Sequence, residues 1–318
     1  MDKKKAISSI ALCVLLIAGC THVPTDIPNV TPIATVNPPS MPITVENRGT
    51  LGNMVWSPDG EEIAYTLIHP FNVDAVYILD IDTSEVRLLI EESILLSWSP
   101  DGSILIYHYW DGIGIVDSNT GGTPDIISDG FVGAFSPDGT RVAVMQQESS
   151  GSGDTYQVTI SLIDLEIRSE TVIFDSENVI RLDSLHWSPD NKYLAFSIKH
   201  DDFSNPTLLM LLDIDTNEVV QFTSDRYNSG SPSWSPNGSQ IAYTYSQELF
   251  DDFLVFANVD GECRIEIHEE ALGDGMLGGI AWSPDGRYLA YEMENAIYLL
   301  DLFPILGGDY LERGTICP

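Results

Sequence analysis

Two carboxylate pairs stand out among the residues that could do chemistry, Asp201-Asp202 and Asp251-Asp252. Paired oxygens of this kind suit a hard cation such as Ca²⁺. No Asp-x-Asp-x-Asp-Gly loop accompanies them, so a solvated acidic loop is the favoured reading and no cofactor or metal is expected. His69, His108, His186, His200 and His268 are scattered, with no His-x₃-His or Cys-x₂-Cys spacing that would hold a transition metal. His186 directly precedes a repeated tryptophan and reads as a packing residue. No Gly-x-Ser-x-Gly elbow marks a hydrolase nucleophile. The residues thus supply no catalytic constellation, and a protein without enzymatic activity is expected.

The cysteines carry a different chemistry. Lys3, Lys4 and Lys5 precede an apolar run from Ala6 to Ile17 that is too short to span a membrane. Ile17-Ala18-Gly19-Cys20 follows, and it resembles the bacterial lipoprotein signal-peptidase site. That resemblance implies cleavage after residue 19 and acylation of Cys20. Two or three acyl chains on one cysteine hold a protein at a membrane where a single chain would not. Residues 1–19 are therefore expected to be a signal peptide, residues 20–42 a lipidated Pro/Thr-rich tether, and residues 43–318 the folded part. Six prolines, from Pro24 to Pro42, favour extended chain in the tether. The expected location is the outer side of a membrane, periplasmic or cell-surface. Cys263 and Cys317 remain, either as a disulfide clasping the C-terminal tail or as two thiols.

Composition narrows the partners. Fourteen basic residues stand against 48 acidic ones, a formal net charge of −34. Such a surface repels nucleic acid, which needs Lys and Arg against its phosphates. It suits solubility and a cationic protein or peptide partner.

The elements that position these residues come from a repeat. Aromatic-Ser-Pro-Asp/Asn-Gly/Asn recurs six times, at Trp56–Gly60, Trp98–Gly102, Phe135–Gly139, Trp187–Asn191, Trp234–Gly238 and Trp282–Gly286. The serines are 42, 37, 52, 47 and 48 residues apart, the length of one four-stranded propeller blade. Proline presets the first turn position, and Gly or Asn takes the left-handed conformation that closes the hairpin. A short apolar strand follows each turn, as in Ile63-Ala64-Tyr65 and Leu289-Ala290-Tyr291. A third strand then ends at Asp80, Asp117, Asp164, Asp213, Asn258 or Asp301. The expected fold is an all-β, six-bladed β-propeller of four-stranded antiparallel blades. Closing the last blade needs one more strand, from Ile43–Arg48 or from Tyr310–Ile316, with the N-terminal segment favoured.

The repeated turn, the Ile-Ala-Tyr strand and the Leu-Asp-Ile-Asp-Thr turn together resemble the WD40-like repeats of the TolB β-propeller family, over roughly residues 51–302. The resemblance implies an extracytoplasmic propeller that binds proteins, and a scaffold role is the leading expectation. The alternative is an enzyme or sensor acting on envelope or extracellular glycans.

In such a fold the Ser-Pro-Asp-Gly turns share one face, and the loops between second and third strands share the other, where ligands usually bind. Measured between turn Asp/Asn and third-strand Asp/Asn, these hairpins span 21, 16, 26, 23, 21 and 16 residues. Long loops place the candidate ligand face at blades 3–5. The candidates are Tyr156, Asp201, Asp202, Phe203, Phe250, Asp251, Asp252 and Phe253. Arg181, Asp183, Arg226 and Tyr227 join them from blade-to-blade loops.

Overall fold

The computed structural model describes residues 30–32, 50–69, 74–110, 112–149, 155–200, 205–223, 228–246, 252–261, 263–268, 272 and 277–316. Blade 1 consists of β2 (Thr50–Trp56), β3 (Glu62–Ile68), β4 (Ala75–Asp80) and β5 (Val86–Glu91); β1 (Val30–Pro32) precedes it in the chain. Blade 2 consists of β6 (Ile94–Trp98), β7 (Ile104–Tyr109), β8 (Gly112–Asp117) and β9 (Gly121–Ser128). Blades 3 and 4 form one seven-stranded sheet of β10 (Val132–Phe135), β11 (Arg141–Ser149), β12 (Tyr156–Asp164), β13 (Glu170–Trp187), β14 (Tyr193–His200), β15 (Leu208–Asp213) and β16 (Val219–Gln221). Blade 5 holds β17 (Asn228–Trp234), β18 (Gln240–Ser246), β19 (Asp252–Asn258) and β20 (Arg264–His268). Blade 6 contributes β21 (Leu277–Trp282), β22 (Tyr288–Met293) and β23 (Ala296–Asp301), its three strands among the described residues.

Within every blade successive strands pair antiparallel. The six innermost strands, with the second half of β13 serving blade 4, touch one another in a closed ring. Each seam between blades carries a hydrogen bond. Asn53 Nδ2 donates to Leu95 O at 3.1 Å, and Phe135 N donates to Ser97 Oγ at 3.2 Å. Trp187 Nε1 donates to Ala134 O and Trp234 Nε1 to His186 O, both at 3.1 Å. Trp282 N donates to Ser233 Oγ at 2.9 Å. Trp56 Nε1 donates to Ala281 O at 3.0 Å and joins the first blade to the last. At Trp56, Trp187 and Trp234 the repeated aromatic is thus both apolar filling and a donor between blades.

The turn motif explains its own serine. Ser57 Oγ donates to Asp59 Oδ1 at 2.6 Å and accepts from Glu62 N at 2.9 Å, while Asp59 Oδ1 accepts from Glu61 N. The same arrangement recurs at Ser99, Ser136, Ser188, Ser235 and Ser283. A hydroxyl is needed because it gives and accepts at once. Gly60, Gly102, Gly139, Gly238 and Gly286 have φ between 71° and 77°, and Asn191 has φ 63°. Third strands end at the six expected Asp and Asn residues. Their side chains cap the next turn, as where Asp80 Oδ1 accepts from Thr83 N at 2.7 Å.

Three features differ from the sequence expectation. Between blades 3 and 4 there is no loop: β13 runs 18 residues as outer strand of one blade and inner strand of the next. It bends at Asn178 (φ 60°) and Ser184 (φ 57°), near register shifts against β14. Second, Tyr310–Arg313 is the short helix α2, preceded by α1 (Phe303–Leu306), so the C-terminal candidate adds no strand to blade 6. A proline in the first turn of α1 and the left-handed Gly314 after α2 are helix signals. The other candidate, Ile43–Arg48, lies outside the described residues. Third, within the expected tether, β1 pairs in parallel with β20, Val30 opposite Arg264.

The C-terminal segment instead sits at the seam of blades 5 and 6. Tyr310 is fully buried, accepts from Trp282 Nε1 at 3.1 Å and donates its hydroxyl to Gly286 O. Asn237 Nδ2 in the blade 5 turn donates to Leu311 O at 2.6 Å. Asn258 donates to Thr315 Oγ1 at 2.9 Å and accepts from Ile316 N. Ile316 and the disulfide-bonded Cys263 belong to the same apolar cluster.

Candidate functional site

The second strand of each blade climbs from the turn face to the loop face, so its last residues approach any loop-face ligand. Six equivalent positions there are Thr66, His108, Met145, Ser197, Thr244 and Glu292. Two of them titrate in altered environments. Burial holds the Glu292 carboxyl above the usual range, against a smaller opposing hydrogen bond from the Asn295 backbone. Its carboxylate lies over Gly278, where a Cβ would collide with it. Burial lowers the His108 imidazole. The two stand on blades 6 and 2, and among the described residues no group of three or more His, Cys, Asp or Glu side chains is arranged to hold a metal ion.

The candidates at blades 3–5 divide. Asp201, Asp202, Phe203, Arg226, Tyr227, Phe250 and Asp251 lie outside the described residues. Tyr156 opens β12 beside Ser149, at the tip of a hairpin whose two strands are nine residues each. It packs against the blade 3–4 core as a partly buried side chain. Arg181 and Asp183 are not loop residues: their backbones pair with Lys199 and Ser197 inside the continuous β13.

Asp252 is also not a solvated loop carboxylate. It begins β19, is 6% exposed, and accepts from Ser246 Oγ and, at 3.4 Å, from Leu277 N of blade 6. Its hydrogen bonds explain its burial and give it a structural role. Phe253 stacks on Tyr245 with ring centroids 4.8 Å apart and meets His268 edge-on at 4.9 Å. Arg264 covers the other side of this ladder, 5.1 Å from the Tyr245 ring and paired with Glu266. These aromatics fill the blade 4–5 seam, with Val255 and Leu211 in the same cluster.

On the turn face, a shallow open cleft of about 370 Å³ lies at blades 3–4. Arg141, Asp164, Asp215 and Asn217 line it over Leu162 and Ile173. Arg141 stacks 5.3 Å above Trp187, so its guanidinium is committed to packing as well as to the rim.

Sequence reasoning passes over the most exposed aromatic among the described residues of the loop face. Trp110 is 75% exposed, whereas the five repeat tryptophans are 6–9% exposed. Its signal was available: it is the one tryptophan outside the repeat.

Comparisons with known proteins agree with this architecture. The family description "Dipeptidyl peptidase IV (DPP IV) N-terminal region" matches residues 188–299. An uncharacterised peptidase, YuxL, of Bacillus subtilis is 25% identical over 158 residues, 49% of this chain and 22% of that protein. The Tol-Pal system protein TolB of Alcanivorax borkumensis is 30% identical over 92 residues, 29% of this chain and 20% of TolB. The chain thus spans about a fifth of either relative. Among solved structures, TolB from Acinetobacter baumannii superposes with a TM-score of 0.56 at 22% identity, over 70% of this chain and 55% of TolB. An oligogalacturonate lyase in complex with manganese gives 0.57 at 16% identity, over 84% of this chain and 77% of the lyase. The fold is that of a TolB-like six-bladed β-propeller.

Proposed function

We propose that this chain is an extracytoplasmic lipoprotein, anchored through Cys20, whose propeller binds a protein or peptide and has no enzymatic activity. The observation that carries the reading is the closed TolB-like ring on a chain of net charge −34. TolB is a Tol-Pal system protein by name, and a binding role suits a ring whose buried polar groups serve packing. The N-terminal Ile17-Ala18-Gly19-Cys20 supports the anchor. Among the described residues no helix is long and apolar enough to cross a membrane. We further propose that Cys263 pairs with Cys317, because the disulfide-bonded Cys263 shares one apolar cluster with Ile316, the neighbour of Cys317.

A crosslinking pull-down from native membranes tests the reading. The bait is the full-length protein, compared with D201N, D202N and D251N combined. Asp252 stays intact because it holds β19 to blade 6. A partner held by the first bait and lost by the second supports a protein-binding face at blades 3–5. Capture by neither bait contradicts it.

The fold likeness to an oligogalacturonate lyase favours one second reading, an enzyme or sensor acting on extracellular glycans. Depolymerisation of envelope or extracellular polysaccharides that is lost in E292Q would establish it.

A further inference from the structure

Trp110 lies in one of the two tightest loop-face hairpins among the described residues, the other joining Met293 to Ala296. Tyr109, the last residue of β7, pairs with Gly112, and Trp110 follows it directly. Gly112 has φ 136°, and a Cβ there would collide with Ser128 O, so only glycine closes the turn this tightly. The short turn gives Trp110 little freedom. Its indole is fixed further, because Nε1 donates to Glu92 Oε2 at 3.1 Å.

Glu92 is itself held. It lies in the blade 1–2 connection with φ 58°, a left-handed conformation unfavourable for any residue with a Cβ. The next residue anchors it: Ser93 N donates to Asp74 O at 3.3 Å, and Ser93 Oγ donates to Glu91 O at 3.1 Å. A large aromatic is therefore presented to solvent in one orientation with a carboxylate at its edge. Rigid, exposed aromatics are what interfaces use as anchors.

The charge around the pair selects the ligand. Blades 1 and 2, residues 50–128, contain thirteen Asp and Glu and one basic residue, Arg87. Arg87 is engaged near the turn face, donating to Ser118 O and pairing with Glu62. No described cation neutralises Glu92. An aromatic face attracts a desolvated cation, and an adjacent carboxylate adds a charge-assisted hydrogen bond.

We propose that Trp110 and Glu92 form an anchoring site for a lysine or arginine side chain of a basic peptide segment on the partner protein. This rests on the protein-binding reading and adds an anchor at blades 1–2 to the face at blades 3–5.

Hexalysine is the probe, titrated into protein carrying ¹⁵N-labelled tryptophan at about 0.15 M salt, where long-range attraction is screened. The Trp110 indole signal is identified by its loss in W110F. The site predicts that this signal moves most among the six tryptophans, and that W110A binds about fivefold to thirtyfold more weakly although no charge has changed. E92Q weakens binding as well. Unchanged affinity in W110A with an unchanged melting temperature overturns the proposal. So does a response to spermidine as strong as that to hexalysine, which would make the site a polyamine site. A membrane partner that W110A captures as well as wild type also overturns the anchor, while leaving the protein-binding reading standing.

Discussion

Trp56 and Ala281, 225 residues apart, close the ring: the Trp56 indole N–H donates to the Ala281 carbonyl at 3.0 Å inside a core shared by the first and last blades. Trp187 and Trp234 make the equivalent bond to the blade before them. Trp98 donates instead within its own turn, to Gly102 O at 2.9 Å. W56F keeps most of the apolar ring and removes the buried donor that joins the first blade to the last. It should lower the unfolding free energy by about 1–3 kcal/mol in urea titration. An effect below that of W98F would show that the closing bond carries no weight.

The turn serines should matter more than their size suggests. Ser136 Oγ is fully buried, donates to Asp138 and accepts from Arg141 N at 3.0 Å. S136A leaves that buried N–H without its partner, at a cost of about 1–3 kcal/mol by chemical denaturation. A surface serine such as Ser84 serves as the neutral comparison.

Acid should unfold the protein through two groups of residues. Hydrogen bonds from the Ser103 backbone and the Ser99 and Ser103 hydroxyls push Asp101 down to about 2. The Thr83, Thr120 and Thr216 backbones similarly lower Asp80, Asp117 and Asp213. A depressed carboxylate stabilises the fold above its unfolded pKa, near 3.9, and that stability is lost as pH falls through the folded value. His186 acts earlier, because burial pushes it down to about 4. The unfolded chain takes up its proton first, so stability declines between roughly pH 6.5 and 4. Calorimetry of wild type and H186F across this range should show the early decline vanish in the variant; identical curves would remove His186 from the account.

The C-terminal segment behaves as a wedge at the blade 5–6 seam. A Cβ on Gly286 would strike Leu311, and its φ of 76° disfavours any side chain. G286A should therefore destabilise by more than 1 kcal/mol. Y310F removes a buried hydroxyl bonded to Trp282 and Gly286 and should cost about 1–2 kcal/mol. If Cys263 pairs with Cys317, C263S and C317S should lower the melting temperature equally, each losing about 2–5 kcal/mol. Unequal losses would contradict the pairing.

Much of the fold was legible because each blade repeats its instructions locally. The turn motif and the terminal Asp or Asn of each third strand mark the hairpins without reference to the rest of the chain. What failed depends on distant packing. Nothing in residues 170–187 reveals that one strand serves two blades, because only Asn178 signals the bend. Asp252 reads as half of an acidic loop until Ser246 and Leu277 are seen to bury it. Tyr310 reads as a strand residue, since its hydroxyl finds Trp282 only in three dimensions. Loop length does not point to Trp110, because its exposed ring stands in a tight hairpin between Tyr109 and Gly112.

A partner protein docked on the loop face should leave its footprint there. Hydrogen–deuterium exchange of the complex captured from native membranes tests it most directly. Amide protection is expected at the loop-face hairpins, including residues 108–113 and 147–156, with the turns at 57–60, 99–102 and 136–139 unaffected. Protection confined to those turns, or no protection on either face, would contradict it.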